Sequence, residues 1–149
     1  MRVRSSVTVV GAGAVAVALA ICFAGTGLAA RQAQSVWDGV YTTEQAQRGA
    51  TFYQESCAEC HGSELAGGEL APSMVGGEFV WNWNGLSVGD LFERLRVSMP
   101  QGEPSSVSRQ EKADILAFLL EANEFPAGDT ELANRTGMLA GITFLVDKP

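Results

Sequence analysis

The five residues from Cys57 to His61, which read CAECH, constrain this chain more than any other part of its sequence. They contain two of its three cysteines and its only histidine. Three kinds of site use thiols and an imidazole placed this closely: a dithiol redox pair, a zinc site and the covalent attachment of haem. Each kind requires different features elsewhere in the chain, so the remaining sequence has to distinguish them.

The first thirty residues differ in composition from the rest of the chain. Arg2 and Arg4 give a positive start, an apolar run extends from Val7 to Ala24, and small residues follow up to Ala30. This order is typical of a secretory signal peptide and predicts cleavage after Ala30. The run also approaches the ~18 apolar residues that could span a bilayer, so an uncleaved membrane anchor is the alternative. In both cases we expect the following domain to face the periplasm.

The mature chain is strongly acidic. Removal of residues 1–30 takes away two of the ten basic residues and none of the 17 acidic ones, which changes the formal net charge from −7 to −9. Such a chain lacks the basic clusters that bind phosphate backbones, so we expect no nucleic-acid partner. The acidity suits a soluble exported protein that meets partners through charge complementarity.

Three capped helices and long loops predict an all-α fold. Each helix starts with a capping-box pair, in which Ser or Thr is followed three positions later by an acidic residue or glutamine. The pairs are Thr42 with Gln45, Ser87 with Asp90, and Ser108 with Glu111. The Met99-Pro100 pair ends the second helix, and Asn123 with Pro126 ends the third. Strand alternation is suggested only in GITFLVD, residues 141–147.

The third helix has the clearest apolar face. The side chains expected on that face are Ile115, Phe118, Leu119 and Ala122. Arg109, Lys112 and Glu121 are expected to point elsewhere.

The segment between His61 and Ser87 does not suit an ordinary small helical domain. It contains six glycines and shows no periodic apolar face. Connections longer than about 12–15 residues are uncommon in compact domains unless they are functional or disordered. This one also carries apolar side chains, among them Leu70, Phe79 and Trp81. We therefore expect it to wrap around a large, flat, apolar cofactor.

These features favour haem attachment at the CAECH string. A zinc site needs four ligands, and Cys22, the remaining cysteine, leaves with the signal peptide. A thioredoxin-like dithiol needs a βαβ pattern, which the sequence lacks. The C-x-x-C-H string is the attachment signature of c-type haem, in which Cys57 and Cys60 form thioethers and His61 ligates the iron. We predict one covalent haem c, with a haem-free dithiol or disulfide protein as the alternative.

The second axial ligand is expected to be a methionine, because no second histidine exists. Met74 lies within the glycine-rich segment, where a core position is expected, and Met138 follows the last strong helix. Met99 lies at a helix end, where Pro100 holds it extended and its side chain can reach across the cofactor. We therefore predict His61 and Met99 as the axial pair.

Four stretches of the mature chain resemble the class I mono-haem cytochromes c with His/Met ligation. They are RGATFYQESCAECHG, LAPSMVGGEF, WNGLSVGDLFERLRVSMP and SRQEKADILAFLLEANEFPAG. The resemblance covers nearly all of residues 31–128 and implies three main helices and long glycine-rich loops around one covalent haem. Residues 129–149 are only loosely covered, and we expect them to form an extension that packs on the domain or is irregular.

The resemblance also implies a contact between the first and last helices. In that family these helices cross at right angles, with a glycine and an aromatic residue at the crossing. Gly49 with Phe52 or Tyr53 resembles one side of this contact, and Ile115 with Phe118 resembles the other.

Two further site residues are implied by the resemblance. The Pro72 carbonyl is expected to accept the Nδ1–H of His61 and so to fix the imidazole ring. Trp83 is similar to a tryptophan that contacts a haem propionate, with a plain core position as the alternative.

The resemblance implies a periplasmic electron carrier that is not itself an enzyme. The stretch MPQGEPSSVSRQEKADILAFLLEANEFPAG looks like cytochromes that accompany quinoprotein dehydrogenases. The expected partners are therefore a periplasmic dehydrogenase and a terminal oxidase or another cytochrome. The alternative is a haem-based sensor of small ligands, or a redox enzyme subunit, in which Met99 is displaced easily.

Overall fold

The computed structural model describes residues 34–149, and helices provide nearly all of their regular structure. The helices are α1 (Thr43–Ser56), α2 (Ala58–His61), α3 (Gly76–Trp83), α4 (Val88–Ser98), α5 (Arg109–Ala122) and α6 (Thr136–Leu139). Two strands of two residues each, β1 (Gln34–Ser35) and β2 (Ile142–Thr143), pair in parallel. The prediction of an all-α fold is confirmed.

The predicted signal peptide or anchor, residues 1–30, lies outside the described residues. Within residues 34–149, none of the helices combines the length and the apolar character that a membrane crossing requires.

The capping boxes of α4 and α5 form as predicted, whereas that of α1 forms only in part. Thr42 Oγ1 accepts the backbone N–H of Gln45 at 3.1 Å, but the Gln45 side chain does not return to the cap. The Gln45 side chain is fully buried instead. Its Oε1 accepts the N–H of Leu132 at 2.7 Å, and its Nε2 donates to Asp114 Oδ1 at 3.1 Å. The full box predicted for α1 was wrong because Gln45 satisfies buried groups of distant segments.

The packing of α1 against α5 is the closest helix contact described. A Cβ atom added at Gly49 would lie 1.8 Å from the backbone oxygen of Asp114, so only glycine permits this approach. One turn further along α1, the ring of Tyr53 lies 5.4 Å from that of Phe118, centroid to centroid. The predicted glycine and aromatic contact between these helices is therefore present.

Helix α5 is buried on more sides than the predicted apolar face implies. Lys112, expected to point elsewhere, retains only 3% exposure, and Asp114 retains 2%. Phe118 and Ala122, expected on the buried face, are only partly buried. The prediction failed because several segments surround this helix, and its polar side chains find partners inside the protein.

The glycine-rich segment contains a helix that the sequence did not predict. Helix α3 begins with two glycines and has no side-chain hydrogen bond at its N-cap, Val75, so it lacks the usual start signal. Of its apolar side chains, Phe79 is buried and Trp81 is 61% exposed. The remainder of residues 62–86 is irregular, as expected.

The last 21 residues pack on the domain rather than trailing from it. The Phe144 side chain is fully buried, and its backbone exchanges hydrogen bonds with the end of the glycine-rich segment. Gly85 N donates to Phe144 O, and Phe144 N donates to Leu86 O, both at 2.8 Å. The suggested strand in GITFLVD is limited to Ile142–Thr143. The extension therefore holds one end of the glycine-rich segment in place.

Candidate cofactor site

The turn between α1 and α2 brings the two thiols and the imidazole to one cavity. Cys57 ends α1 and also precedes α2, and the N–H groups of Cys60 and His61 both donate to the Cys57 carbonyl, at 3.2 Å and 3.0 Å. This single tight turn changes the chain direction at Cys57. As a result, Cys57, Cys60 and His61 all line the same cavity.

The cavity has a volume of about 410 Å³ and a largely apolar wall. Side chains from α1, α3, α4 and α5 contribute to this wall. The apolar and aromatic ones are Tyr53, Phe79, Trp83, Leu91, Leu95 and Ile115, with Leu70, Ala71 and Pro72 from the glycine-rich segment. Leu70 and Cys60 are both exposed to solvent, so the cavity opens beside them.

The His61 ring is held in one orientation by the glycine-rich segment. Its Nδ1 lies 2.9 Å from the backbone oxygen of Pro72, and the residue is only 8% exposed. Because a carbonyl oxygen can only accept, this contact requires the proton on Nδ1. In the neutral imidazole, Nε2 then keeps its lone pair. The contact thus prepares Nε2 as a ligand atom.

Gly67 allows the Pro72 carbonyl to approach the histidine. Gly67 has φ +74°, and a Cβ atom there would lie 2.5 Å from Ser73 N and 2.6 Å from Pro72 C. A side chain at this position would strain the backbone and push the 71–73 segment away. Gly67 is one of the six glycines of the segment, and its role cannot be read from the sequence because the approach depends on tertiary structure.

The two cysteines are free thiols in different surroundings. Cys57 is partly buried and Cys60 is exposed. Burial is the main cause that raises the pKa of Cys57 to about 11. The positive charge of Lys112 lowers this pKa in part, and the nearby Cys60 raises it slightly further. The Cys57 thiol is therefore protonated at neutral pH.

The three mature methionines occupy different positions. Met74 and Met99 both line the cavity, whereas Met138 is 64% exposed and lies outside it. Met99 is the C-cap of α4 and has extended backbone angles, φ −125° and ψ 139°. Met74 lies two residues after Pro72, and two hydrogen bonds hold its backbone. The Met74 N–H donates to Leu65 O at 2.8 Å, and Asn123 Nδ2 donates to Met74 O at 3.0 Å.

Sequence patterns did not identify six polar side chains that line the cavity, namely Ser56, Ser73, Glu78, Asn82, Arg94 and Gln101. Arg94 lies on α4 one turn after Leu91, and this helical spacing was the signal that could have identified it. Trp83, which was predicted, lines the same cavity.

The residues present fit a covalently attached haem. The cavity offers two thiols for thioether bonds, an imidazole nitrogen and a thioether sulfur for the iron, and an apolar wall for the ring. Arg94 adds a cation that can pair with a propionate. Zinc fits less well, because residues 34–149 contain no group of three or more Cys, His, Asp or Glu side chains placed to hold a metal ion.

Comparison with known proteins agrees with this fit. The family model described as "Cytochrome C oxidase, cbb3-type, subunit III" matches residues 44–119, which include the CAECH string and Met99. A curated relative, "Cbb3-type cytochrome c oxidase subunit FixP" of Bradyrhizobium sp. (strain ORS 278), is 25% identical over 95 residues. The aligned part is 64% of this chain and 30% of that protein, so the chain spans about a third of its relative.

Proposed function

Because this chain belongs to the family of cytochrome c oxidase, cbb3-type, subunit III, and is thus a c-type cytochrome with covalently bound haem c, we propose that it is a periplasmic one-electron carrier. When bound, haem c supplies an iron that alternates between the ferrous and ferric states. The observation that carries the proposal is the convergence of Cys57, Cys60 and a His61 ring oriented by Pro72 on one apolar cavity.

In this proposal, Cys57 and Cys60 hold the haem through thioether bonds and His61 Nε2 is the proximal iron ligand. Pro72 keeps the proton on Nδ1, and Gly67 permits Pro72 to reach it. A hydrogen-bonded imidazole of fixed orientation needs little rearrangement when the charge on its metal changes. Trp83 and Arg94 are proposed to lie near the propionates, because both line the cavity and can donate hydrogen bonds.

We propose Met99 as the second axial ligand, in preference to Met74. Met74 lies in the same short segment as Pro72, which contacts His61, and it therefore belongs to the histidine side of the cavity. Met99 comes from the end of α4, a separate part of the wall. A methionine ligand raises the reduction potential of haem iron, which suits a carrier that accepts electrons.

Electrons are proposed to enter and leave at the cavity opening beside Leu70 and Cys60. Leu70 is 77% exposed, the highest value among the large apolar side chains that are exposed within residues 34–149. Transient redox partners often form interfaces of less than about 1,200 Å², which a small apolar area of this kind can support. The similarity to a cbb3-type oxidase subunit supports a terminal oxidase as electron acceptor, and a periplasmic dehydrogenase is our proposed donor.

The proposal is tested by intact-mass and absorption measurements on protein matured in a host that attaches c-type haem. The expected product carries the mass of one haem, has a Soret band and shows a ferric methionine–iron charge-transfer band. The ferrous form should not change its spectrum when carbon monoxide is added. Ready carbon monoxide binding would favour a ligand sensor or enzyme subunit, and a colourless product would refute the assignment.

A further inference from the structure

A second cleft lies between α4, the start of α5 and the segment that leads into α6. Its volume is about 610 Å³, within the range of small-ligand sites. Its lining contains three arginines and one carboxylate: Glu93, Arg96, Arg109, Asn134, Arg135, Thr136 and Gly137. We name it the arginine cleft.

The charge of the arginine cleft is opposite to that of the protein around it. Residues 34–149 contain all 17 acidic residues but only seven of the ten basic ones, a formal charge of −10. Three of those seven line this cleft, together with one acid, so its formal charge is +2. Such a local reversal of sign concentrates anions at the cleft.

The only carboxylate of the cleft is already satisfied by its neighbours. Both oxygens of Glu93 accept hydrogen bonds from Arg96, and Thr136 Oγ1 donates to Glu93 Oε2 at 2.7 Å. These bonds from Arg96 and Thr136, followed by the charges of Arg96 and Arg109, lower the pKa of Glu93 to about 2. Across residues 34–149, Arg109 and Arg135 form no salt bridge, which leaves two guanidinium groups for a ligand.

The arginine cleft is separate from the cofactor site. Successive residues of an α-helix are rotated by about 100°, which places Glu93 and Arg96 on the opposite side of α4 from Leu91 and Leu95. The latter two line the cofactor cavity and the former two line the cleft. A ligand in the cleft therefore need not interfere with the haem.

The backbone on two sides of the cleft is held in place because α6 is seated closely on α4. A Cβ atom added at Gly89 would lie 2.8 Å from Thr136 O and 2.9 Å from Ala140 N. This close approach fixes the start of α6, and with it Arg135, relative to Arg96 on α4. Residues 134–137 lie beyond the part of the chain matched by the family model.

We propose that the arginine cleft binds a tetrahedral oxyanion, namely phosphate or the phosphate group of a small ester. Arg96 is engaged by Glu93, so the groups that meet a ligand are those of Arg109 and Arg135. They come from different segments and can approach oxygens that point in different directions, which a planar carboxylate offers less well. Guanidinium groups bind phosphate through paired hydrogen bonds. A phosphate carries a charge of about −1.5 to −2 at neutral pH, which matches the charge of the cleft.

The test is a calorimetric titration of the matured haem protein at constant ionic strength. Inorganic phosphate and phenyl phosphate are the probes, and acetate and chloride are the controls for a planar and a monatomic anion. Saturable binding of a phosphate, with no binding of acetate or chloride, supports the proposal. If phenyl phosphate binds more tightly than inorganic phosphate, the ligand class is a phosphate ester, and the reverse order indicates the free ion.

Arginine variants locate the binding. Arg109→Gln and Arg135→Gln should each weaken phosphate binding by about ten-fold or more, because each removes a charged hydrogen-bond donor. Lys148→Gln removes one exposed positive charge outside the cleft and should leave the affinity unchanged. Equal weakening by all three substitutions, no saturable binding, or binding that survives the double arginine substitution would overturn the proposal. An unchanged haem spectrum confirms that each variant is folded.

Discussion

The α1–α5 pair and the glycine-rich segment, residues 62–86, fold by different means. At the α1–α5 contact the backbones themselves touch, with no room for a side chain at Gly49. The glycine-rich segment buries Leu65 and Phe79 but leaves Leu70 and Trp81 exposed, and it forms one wall of the cavity. The α1–α5 pair is therefore stabilised by protein packing, whereas the segment depends on the cofactor that the cavity accommodates.

This difference predicts which part of the protein needs haem in order to fold. Without haem, the segment would leave an apolar cavity open to water, which is unfavourable. The α1–α5 pair loses less, because its contacts are made between protein atoms. The same coupling of folding to binding is known for metal sites.

The largest expected effect comes from removing an attachment thiol. Cys57→Ala or Cys60→Ala should abolish stable maturation of haem through two thioethers, because each thiol supplies one bond. Hydrogen exchange on the resulting chain should show lost protection in residues 62–86 and more residual protection in α1 and α5. The intact mass reports attachment. A normal yield of protein with two thioethers would contradict the assignment of these residues.

Loss of the proposed second iron ligand should have the next largest effect. Met99→Ala should leave haem attached but remove the methionine–iron band, lower the reduction potential and allow carbon monoxide to bind. Met74→Ala is the matched control, because Met74 lines the same cavity. It should retain the band and lose only packing energy. If the band instead survives in Met99→Ala and disappears in Met74→Ala, the ligand is Met74.

A glycine substitution in each region tests the comparison directly. In Gly49→Ala, the added Cβ would meet the Asp114 backbone, and this overpacking outweighs the helix-propensity gain of about 1 kcal/mol. We expect a net loss of about 2–3 kcal/mol in the free energy of unfolding. Gly68→Ala, where no atom lies within 4 Å of the new Cβ, should change it by less than about 0.5 kcal/mol. Chemical denaturation measures both, and equal losses would contradict the comparison.

The sequence predicted the parts of this molecule that local signals specify. The CAECH string indicated the cofactor, and the boxes at Ser87 and Ser108 marked the starts of α4 and α5. Helix α3 was missed because it has no side-chain cap and starts with two glycines. The burial of Gln45 and Lys112 was missed because their partners are distant in sequence. Local pattern identifies an element, but only tertiary structure shows which polar groups it buries.

Lys112 ties α5 to the segment around Met99, and its removal should have an intermediate effect. It lies on α5, and its Nζ donates to Arg96 O, at 3.3 Å, and to Pro104 O. These carbonyls flank Met99, so the buried ammonium group ties the methionine segment to α5. Its burial is the main cause that lowers its pKa, and the charge of Arg96 adds to this effect.

Lys112→Met should therefore lower the free energy of unfolding by about 1–3 kcal/mol, because two carbonyl groups lose their donor. Added imidazole should also displace the methionine ligand faster, since the segment is held less firmly. Stopped-flow absorption measures that rate. Lys148→Met, at an exposed position, is the control and should change neither quantity. Equal displacement rates in wild type and Lys112→Met would show that the lysine does not position Met99.

The smallest expected effect concerns a hydrogen bond that closes the α1–α5 region. The hydroxyl of Tyr41, just before α1, donates to the backbone oxygen of Phe125, just after α5. Burial, with a smaller contribution from Glu121, raises the pKa of Tyr41 from 10 to about 12. The folded state thus holds this proton more tightly than the unfolded state does. The stability that results is fully present below pH 10 and is lost as the pH rises from 10 to 12.

Tyr41→Phe should cost about 1 kcal/mol at neutral pH, because it removes one buried hydrogen bond. It should also reduce the decline in stability between pH 10 and 12.

Tyr53→Phe is the natural comparison. Burial, with a smaller contribution from Cys57, also raises the pKa of Tyr53 to about 12. The Tyr53 hydroxyl donates to Gly62 O at 2.7 Å. That bond joins α1 to the glycine-rich segment. Denaturation at several pH values should therefore show both alkaline effects, but only Tyr53→Phe should also perturb the haem spectrum. If Tyr41→Phe perturbs that spectrum equally, the two regions are not independent in the way their packing indicates.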